Sequence, residues 1–170
     1  SERVLRDMYL PGYKAALDAG AAMVMTSFNT VDGIPSTGNK HLMRDILREE
    51  MGFDGVLISD FGAVKELIAH GVAADETEAA KLSIEAGTDI EMMTICYMRH
   101  LREIVENGSI DEALIGEAVM RILKLKNDLG LFENPYRGVD EEMESKVTLC
   151  DAHRQSAREI AGESIVLLRN

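Results

Sequence analysis

The middle of the chain reads Gly52-Phe53-Asp54-Gly55-Val56-Leu57-Ile58-Ser59-Asp60-Phe61-Gly62-Ala63. Every side chain between Gly55 and Ser59 is apolar, which predicts a parallel strand that is covered on both faces. Asp60 follows at the carboxyl end of this strand, where the functional residues of β/α barrels project. A carboxylate at such a position can attack an anomeric carbon. It can equally cap the next helix or hold a loop, and the local pattern leaves these alternatives open.

Strand and helix patterns alternate on both sides of this stretch. Apolar runs predict strands at 23–27 and 55–59, and a third strand is predicted at 88–92. Helical spacing predicts helices at 39–51, 64–69, 75–86, 97–107, 110–129 and 151–162. Alternation of this kind is typical of a parallel sheet or barrel. A (β/α)8 barrel takes about 250 residues. The three strands therefore form either a small open sheet or part of a barrel whose other five strands lie outside the chain.

Several boundary signals accompany the predicted helices. Leu10-Pro11 interrupts a first helical stretch, and Pro11 is expected in the first turn of the next helix, which runs to about Ala19. Asp75 with Glu78, and Ser109 with Glu112, have the spacing of capping boxes. Residues 131–150 are mixed and acidic and are interpreted as a linker. The apolar run 165–168 predicts one more strand, which ends the chain without partners.

Composition narrows the classes of function. The chain has 170 residues, 18 Lys and Arg against 30 Asp and Glu, and a net charge of −12. Such a field repels phosphate backbones and anionic lipid, so it predicts neither nucleic-acid nor membrane-surface binding. The four histidines lack ligand spacing, which predicts no metal site. Cys96 and Cys150 are interpreted as unpaired thiols, with a disulfide as the alternative.

The stretch 52–63 resembles the nucleophile segment of family 3 glycoside hydrolases, in which an Asp after Ser, followed by an aromatic residue or His, is the catalytic nucleophile. The resemblance continues along nearly the whole chain. It includes Tyr9-Leu10-Pro11-Gly12-Tyr13, the run from Met25-Thr26-Ser27-Phe28-Asn29 to Pro35, Leu47-Arg48-Glu49-Glu50, Ala86-Gly87-Thr88-Asp89-Ile90-Glu91-Met92, Leu129-Gly130-Leu131-Phe132, and residues 161–170.

This resemblance implies an α/β fold: the C-terminal part of a TIM barrel, about strands six to eight, in residues 1–130. A linker at 131–150 and the first strand of an α/β sandwich domain in 151–170 follow. It implies retaining hydrolysis of β-glucosides with Asp60 as nucleophile, no cofactor, and an acid/base Glu in a second domain outside this chain. The alternative within the family is a β-xylosidase or another exo-hydrolase. The isolated 170 residues are expected to be inactive.

Three further side chains are candidates for sugar contacts: Phe28, Phe61 and Met92. Either phenylalanine can wall the sugar site or pack as a core aromatic. Methionine more often fills gaps, which favours core packing for Met92 and its neighbour Met93. Ser59 is predicted to hydrogen-bond backbone rather than react, and neither Asp32 nor Glu91 is assigned the acid role.

A different class of function also fits a chain of this length. A three-stranded, flavodoxin-like module would bind a partner or small ligand without catalysis. No targeting segment is visible, and since the sequence opens within a predicted helix, cytoplasmic and periplasmic or secreted locations both stay open. The oligomeric state is not predicted.

Overall fold

A computed structural model of the chain describes residues 2–169. Ser1 and Asn170, the outermost residues of the first and last predicted segments, lie outside that range. The chain divides into two compact units, one up to Gly130 and the other from Leu131. The fold is mixed α/β with mostly helical residues.

The first helix, α1, has three consecutive segments: an α-helical turn Glu2–Val4, a π-helical segment Leu5–Tyr9 and an α-helix Leu10–Asp18. Pro11 lies in the first turn of the third segment, as predicted, and the interruption before it is a change of helix type. The π-helical segment ends two residues before Pro11, the residue of α1 that has no amide hydrogen. Arg6 joins α1 to the next helix through two hydrogen bonds to the Glu50 carboxylate, of 2.6 and 2.9 Å.

The central sheet is parallel and small. Strand β1 (Met23–Met25) pairs with β4 (Val56–Ile58), with Val24 opposite Leu57. On its other edge β4 makes a single parallel bridge from Ile58 to Ile90. The prediction of a strand over 88–92 is thus only partly right. The Asp89 carboxylate, and not a ladder carbonyl, accepts the Leu57 amide at 2.8 Å, which limits regular pairing to one bridge.

Burial differs between the two strands. Val56 and Leu57 of β4 are fully buried, as predicted, whereas Met23 and Met25 of β1 are 42% and 45% exposed. The prediction that 23–27 is a buried strand is wrong for these two side chains. Within residues 2–169, β1 has a strand neighbour on one edge only, so half of its surface faces solvent.

A β-hairpin follows β1. It consists of β2 (Thr30–Val31) and β3 (Ile34–Pro35), which pair antiparallel, and a 3₁₀ turn Ser36–Gly38 comes next. Asp32 and Gly33 form the turn with φ of 51° and 83°. Positive φ at both central residues is the type I′ geometry, which matches strand twist and favours an Asp-Gly pair.

The remaining helices of the first unit agree with the predicted segments. They are α2 (His41–Glu50, with π-helical hydrogen bonding), α3 (Ala63–Ala69), α4 (Glu76–Ala86), α5 (Cys96–Glu106) and α6 (Glu112–Asp128). Asp75 caps α4 by accepting from the Glu78 amide at 2.9 Å, as predicted. The cap of α6 is Asp111 and not Ser109, because Ile110 is buried and delays the helix start.

Two apolar clusters hold the helices against the sheet. One lies among α3 to α6; the other packs α2 and Phe53 against Leu57. Their buried members are Val64, Leu67, Ala73, Ala79, Ala80, Ile84, Cys96, Ile104, Ile110 and Ala118 in the first, and Leu42, Met43, Ile46, Leu47, Phe53 and Leu57 in the second. Gly55 permits close approach at the start of β4, since a Cβ there would lie 2.4 Å from the Ala22 carbonyl oxygen.

The second unit contains two helices. α7 (Glu141–Val147) begins where Asp140 accepts a hydrogen bond from the Met143 amide at 2.9 Å, so the predicted linker includes a capped helix. α8 (Asp151–Ser164) extends two residues beyond the predicted end. Residues 165–168 are extended and 73–93% exposed, and no strand pairs with them within the described chain. The predicted final strand is therefore extended backbone without a ladder.

Candidate active site

The candidate site lies where the carboxyl ends of the three parallel segments meet. The Asp60 amide donates to Thr26 Oγ1 at 3.3 Å, which joins the end of β4 to the end of β1. The Met92 amide donates to Ser59 Oγ at 2.8 Å, and the Gly62 amide donates to the Met92 carbonyl at 2.9 Å. These contacts bring Asp60 and Met92 together, two of the residues proposed from sequence.

The Asp60 carboxylate is only lightly engaged. Its Oδ1 accepts from the Phe61 amide at 2.7 Å, and the side chain is partly exposed. Within residues 2–169 no cation forms an ion pair with it. The N-cap of α3 is Gly62, and the amide of Ala63 donates to the Asp60 carbonyl and not to its carboxylate. The alternative that Asp60 caps the following helix is therefore wrong.

Both candidate aromatic residues are exposed. Phe28 is 44% exposed and Phe61 is 60% exposed, so neither ring is packed in the core of this chain. Phe61 directly follows Asp60 at the strand end, while Phe28 lies two residues beyond Thr26. Met92 is partly buried, and Met93 is 70% exposed with a φ of 60°. The carboxyl ends of the strands therefore present partly exposed apolar side chains together with a carboxylate that has one described hydrogen bond.

Ser59 has the supporting role that its sequence context predicted. The residue is fully buried, and its hydroxyl donates to the Asp60 carbonyl at 2.9 Å while it accepts from the Met92 amide. The proton and one lone pair of this hydroxyl are thus directed at backbone groups. Ser59 is not available as a nucleophile.

The two nearby carboxylates have structural roles. Glu91 accepts hydrogen bonds from the Cys96 and Tyr97 amides, at 2.9 and 2.8 Å, and from the Thr94 hydroxyl, so it caps the first turn of α5. Burial, aided by Glu91, raises the pKa of the Cys96 thiol to about 12. Asp32 lies in the exposed hairpin turn. Neither carboxylate is positioned as a partner of Asp60 by a described contact.

A buried ionic cluster, which the sequence reasoning missed, lies toward the amino ends of the strands. Asp89, whose side chain is 1% exposed, accepts from Arg48 Nη2 at 2.8 Å and from Arg121 Nη1 at 2.9 Å. Arg48 also donates to the carbonyls of Gly55 and Gly87, at 3.1 and 2.9 Å. Burial lowers the pKa of Arg48, and the attraction of Asp89 opposes this shift. The available signal was a carboxylate inside a predicted strand, since a buried charge requires partners.

Arg44 and Glu117 extend this cluster to the surface. Glu117 Oε2 lies 3.2 Å from Arg44 Nη1 and 3.1 Å from Arg121 Nη2. Partial burial alone would raise the pKa of Glu117, but the two arginine hydrogen bonds outweigh it and lower the pKa. The cluster joins α2, α6 and the segment before Ile90, at the end of the sheet that β/α barrels use for stability.

Other features carry no chemistry. A cleft of about 400 Å³ lies between α1, β1 and α2; it is lined mostly by apolar side chains and does not include Asp60. Among residues 2–169 no group of three or more His, Cys, Asp or Glu is arranged to hold a metal ion. In the same range no helix has the length and apolar character that a membrane crossing requires.

Comparison with known proteins identifies the family. Residues 1–125 match the sequence profile of the glycosyl hydrolase family 3 N terminal domain. The chain belongs to this family. It is 41% identical to the periplasmic beta-glucosidase of Salmonella typhimurium and 36% identical to a beta-xylosidase of Formosa agariphila, with the whole chain covered in both cases.

A solved beta-glucosidase structure also superposes on the chain. The crystal structure of a beta-glucosidase from Listeria innocua in complex with glucose has 58% sequence identity and a TM-score of 0.87 over the whole chain. The chain spans 22% and 24% of the lengths of the two curated relatives and 23% of the Listeria protein. None of these three relatives is a flavodoxin-like binding protein.

Proposed function

We propose that these residues are part of a retaining β-glucosidase in which Asp60 is the catalytic nucleophile. One observation carries the proposal: the Asp60 carboxylate stands at the joined strand ends, its backbone amide is held by a hydrogen bond, and no cation within residues 2–169 pairs with it. A nucleophile needs an accessible oxygen in a fixed place, and this arrangement supports that role. Phe28, Phe61 and Met92 are proposed to contact the sugar ring through their apolar surfaces.

The proposed reaction has two steps. An Asp60 carboxylate oxygen attacks the anomeric carbon and forms an ester bond, while the glycosidic bond breaks and the leaving oxygen takes a proton from an acid group. Water then attacks the anomeric carbon, gives a proton to the same group, now a base, and releases the carboxylate. Two inversions return the β configuration. We place the acid/base in a part of the protein outside these residues, because Glu91 is engaged by α5.

The proposal includes the place of these residues in a larger fold. β1, β4 and the Ile90 bridge segment correspond to barrel strands six, seven and eight. Residues 131–150 form the linker, and the part from Asp151 onward begins an α/β sandwich domain. In that context the exposed faces of Met23 and Met25 would face a preceding strand, and the apolar run 165–168 would find partners.

The substrate proposed is a β-linked glucoside, which the Salmonella and Listeria relatives support. A β-xyloside is the second candidate, supported by the Formosa relative. The gene sequence beyond both ends shows whether a longer protein exists. Rates on a panel of aryl β-glycosides then separate the two: a kcat/KM for the xyloside above that for the glucoside contradicts our assignment.

The nucleophile is tested by covalent capture in the full-length protein. A 2-deoxy-2-fluoro-β-glucoside with a dinitrophenolate leaving group forms a long-lived ester with the attacking carboxylate. Peptide mass spectrometry is expected to find the sugar on Asp60. A label on another residue, or an α-configured first product by NMR, contradicts the proposal.

A further inference from the structure

Two buried threonine hydroxyls lie directly behind the Asp60 backbone. Thr26 and Thr37 are each 1% exposed, and their Oγ1 atoms are 2.7 Å apart. Thr26 Oγ1 also accepts the Asp60 amide at 3.3 Å. A buried hydroxyl that accepts from a backbone amide and shares a second hydrogen bond has lost its rotational freedom, so it defines one position for the amide.

The Thr26 hydroxyl takes the place of a ladder carbonyl. Val56 donates its amide to the Ala22 carbonyl at 3.1 Å, and the parallel register advances by two residues on each strand. The same register would give the Asp60 amide to the Thr26 carbonyl. The acceptor is the Thr26 side chain instead. Regular pairing therefore ends just before Asp60, where the strand turns and the carboxylate leaves the sheet.

Thr37 connects this hydroxyl to the third segment. The Thr37 carbonyl accepts from Thr88 Oγ1 at 3.3 Å, and Thr88 is fully buried. The turn that carries Thr37 is thus held both by β1 and by the segment before Ile90. A change in any of these contacts is transmitted to the Asp60 amide through one hydroxyl.

We propose that Thr26 is a positioning residue for Asp60, with Thr37 fixing the direction of its hydroxyl. This inference rests on the proposed role of Asp60 as nucleophile. The Asp60 amide and its carboxylate belong to one residue, so a displaced amide displaces the attacking oxygen. Misplacement by about 1 Å can cost roughly 100-fold in rate. The hydroxyl affects the attack geometry and not the affinity for the sugar.

The test measures covalent capture of the full-length protein by the fluoroglucoside described above. Thr26→Val removes the hydroxyl at nearly constant volume and is expected to lower the capture rate constant roughly 10- to 100-fold, with little change in the reagent's dissociation constant. Thr26→Ser keeps the hydroxyl and is expected to remain within about threefold of wild type, since its hydrogen bonds are conserved.

Ser36→Ala is the matched control. Ser36 lies in the same turn as Thr37 and is also 1% exposed. Its hydroxyl lies 2.8 Å from Ser27 Oγ and does not contact Asp60. It is expected to lower the melting temperature without slowing capture. Equal slowing by Ser36→Ala and Thr26→Val would show a general loss of structure and overturn the inference.

The remaining outcomes separate the two proposals. No capture at Asp60 in wild type refutes the nucleophile, and the inference falls with it. Capture at Asp60 with an unchanged rate constant in folded Thr26→Val refutes Thr26 alone. If Thr26→Val does not fold, Thr37→Val is measured in its place. A capture rate constant lower by about threefold or more, the size of one weakened hydrogen bond, supports the inference. An unchanged rate constant overturns it.

Discussion

Two carboxylates near β4 have opposite environments. The Asp89 side chain is 1% exposed and accepts from two arginines and from the Leu57 amide. Asp60, three residues further along the strand than Leu57, is partly exposed and accepts from one amide, that of Phe61. The first carboxylate is paired with two cations, and the second has no cationic partner within residues 2–169.

The difference follows from the two ends of a parallel sheet. Side chains toward the amino ends are enclosed by the helices and by Arg44, Arg48 and Arg121, where an unpaired charge would cost several kcal/mol. Side chains at the carboxyl ends emerge among loops, where a charge stays hydrated until a substrate displaces water. Pairing at one end stabilises the fold, and its absence at the other end leaves a group that can react.

Removing the Asp60 carboxylate should have the largest effect on activity. We expect Asp60→Asn in the full-length protein to reduce kcat by about 10⁴-fold or more, as loss of a nucleophile does elsewhere. The free energy of unfolding should change little, because no ion pair is lost. Kinetics with an aryl β-glucoside and a urea titration measure the two quantities. An activity near that of wild type would contradict the role of Asp60 as the nucleophile, and with it the contrast between Asp60 and Asp89.

Removing the Asp89 carboxylate should have the reverse effect. Asp89→Ala leaves Arg48 buried without its partner, and such a loss costs about 3–5 kcal/mol in the free energy of unfolding. Chemical denaturation of the full chain measures it. The matched control is Asp54→Ala, which removes an exposed partner of Lys124 and should have a much smaller effect. Similar losses in the two variants would contradict the role of the buried cluster.

A smaller effect is expected at Tyr97, whose hydroxyl lies 2.9 Å from both Ser83 Oγ and the Thr88 carbonyl. Tyr97→Phe should cost about 1 kcal/mol. Burial raises the pKa of Tyr97 above its ordinary value of 10.0. The unfolded chain then loses this proton first, so stability falls as the pH rises above about 10. A smaller slope of stability against pH in Tyr97→Phe would confirm the assignment.

The smallest effect concerns His41 at the start of α2, on the surface. The His41 ring donates from Nδ1 to the Asp45 carboxylate at 2.9 Å, and this bond together with the nearby Glu2 raises the pKa of His41 above its ordinary value of 6.5. The stabilisation is complete below the unfolded pKa and is lost as the pH rises through the folded value. An NMR titration of the ring should show the raised pKa, and Asp45→Asn should lower it. No difference between the two proteins would remove Asp45 as the cause.

Local patterns predicted the helices because each has its own signal. Asp75 caps α4 as expected, and Gly52 ends α2 where the apolar spacing stops. Strand details were less predictable. The apolar pattern of 23–27 does not show that, within residues 2–169, only one edge of β1 is paired. The sequence of 88–92 does not show that the Asp89 carboxylate replaces a ladder carbonyl as the acceptor of the Leu57 amide.

The candidate site shows the same division. The order of residues around Asp60 predicted a carboxylate at a strand end, next to an aromatic side chain, because strand, turn and glycine signals are local in sequence. Tertiary structure alone decided that Asp60 is free while Asp89 is paired. It also decided that Thr26, 34 residues earlier, accepts the Asp60 amide. Such contacts depend on chain segments that are distant in sequence, and no local spacing encodes which of them meet.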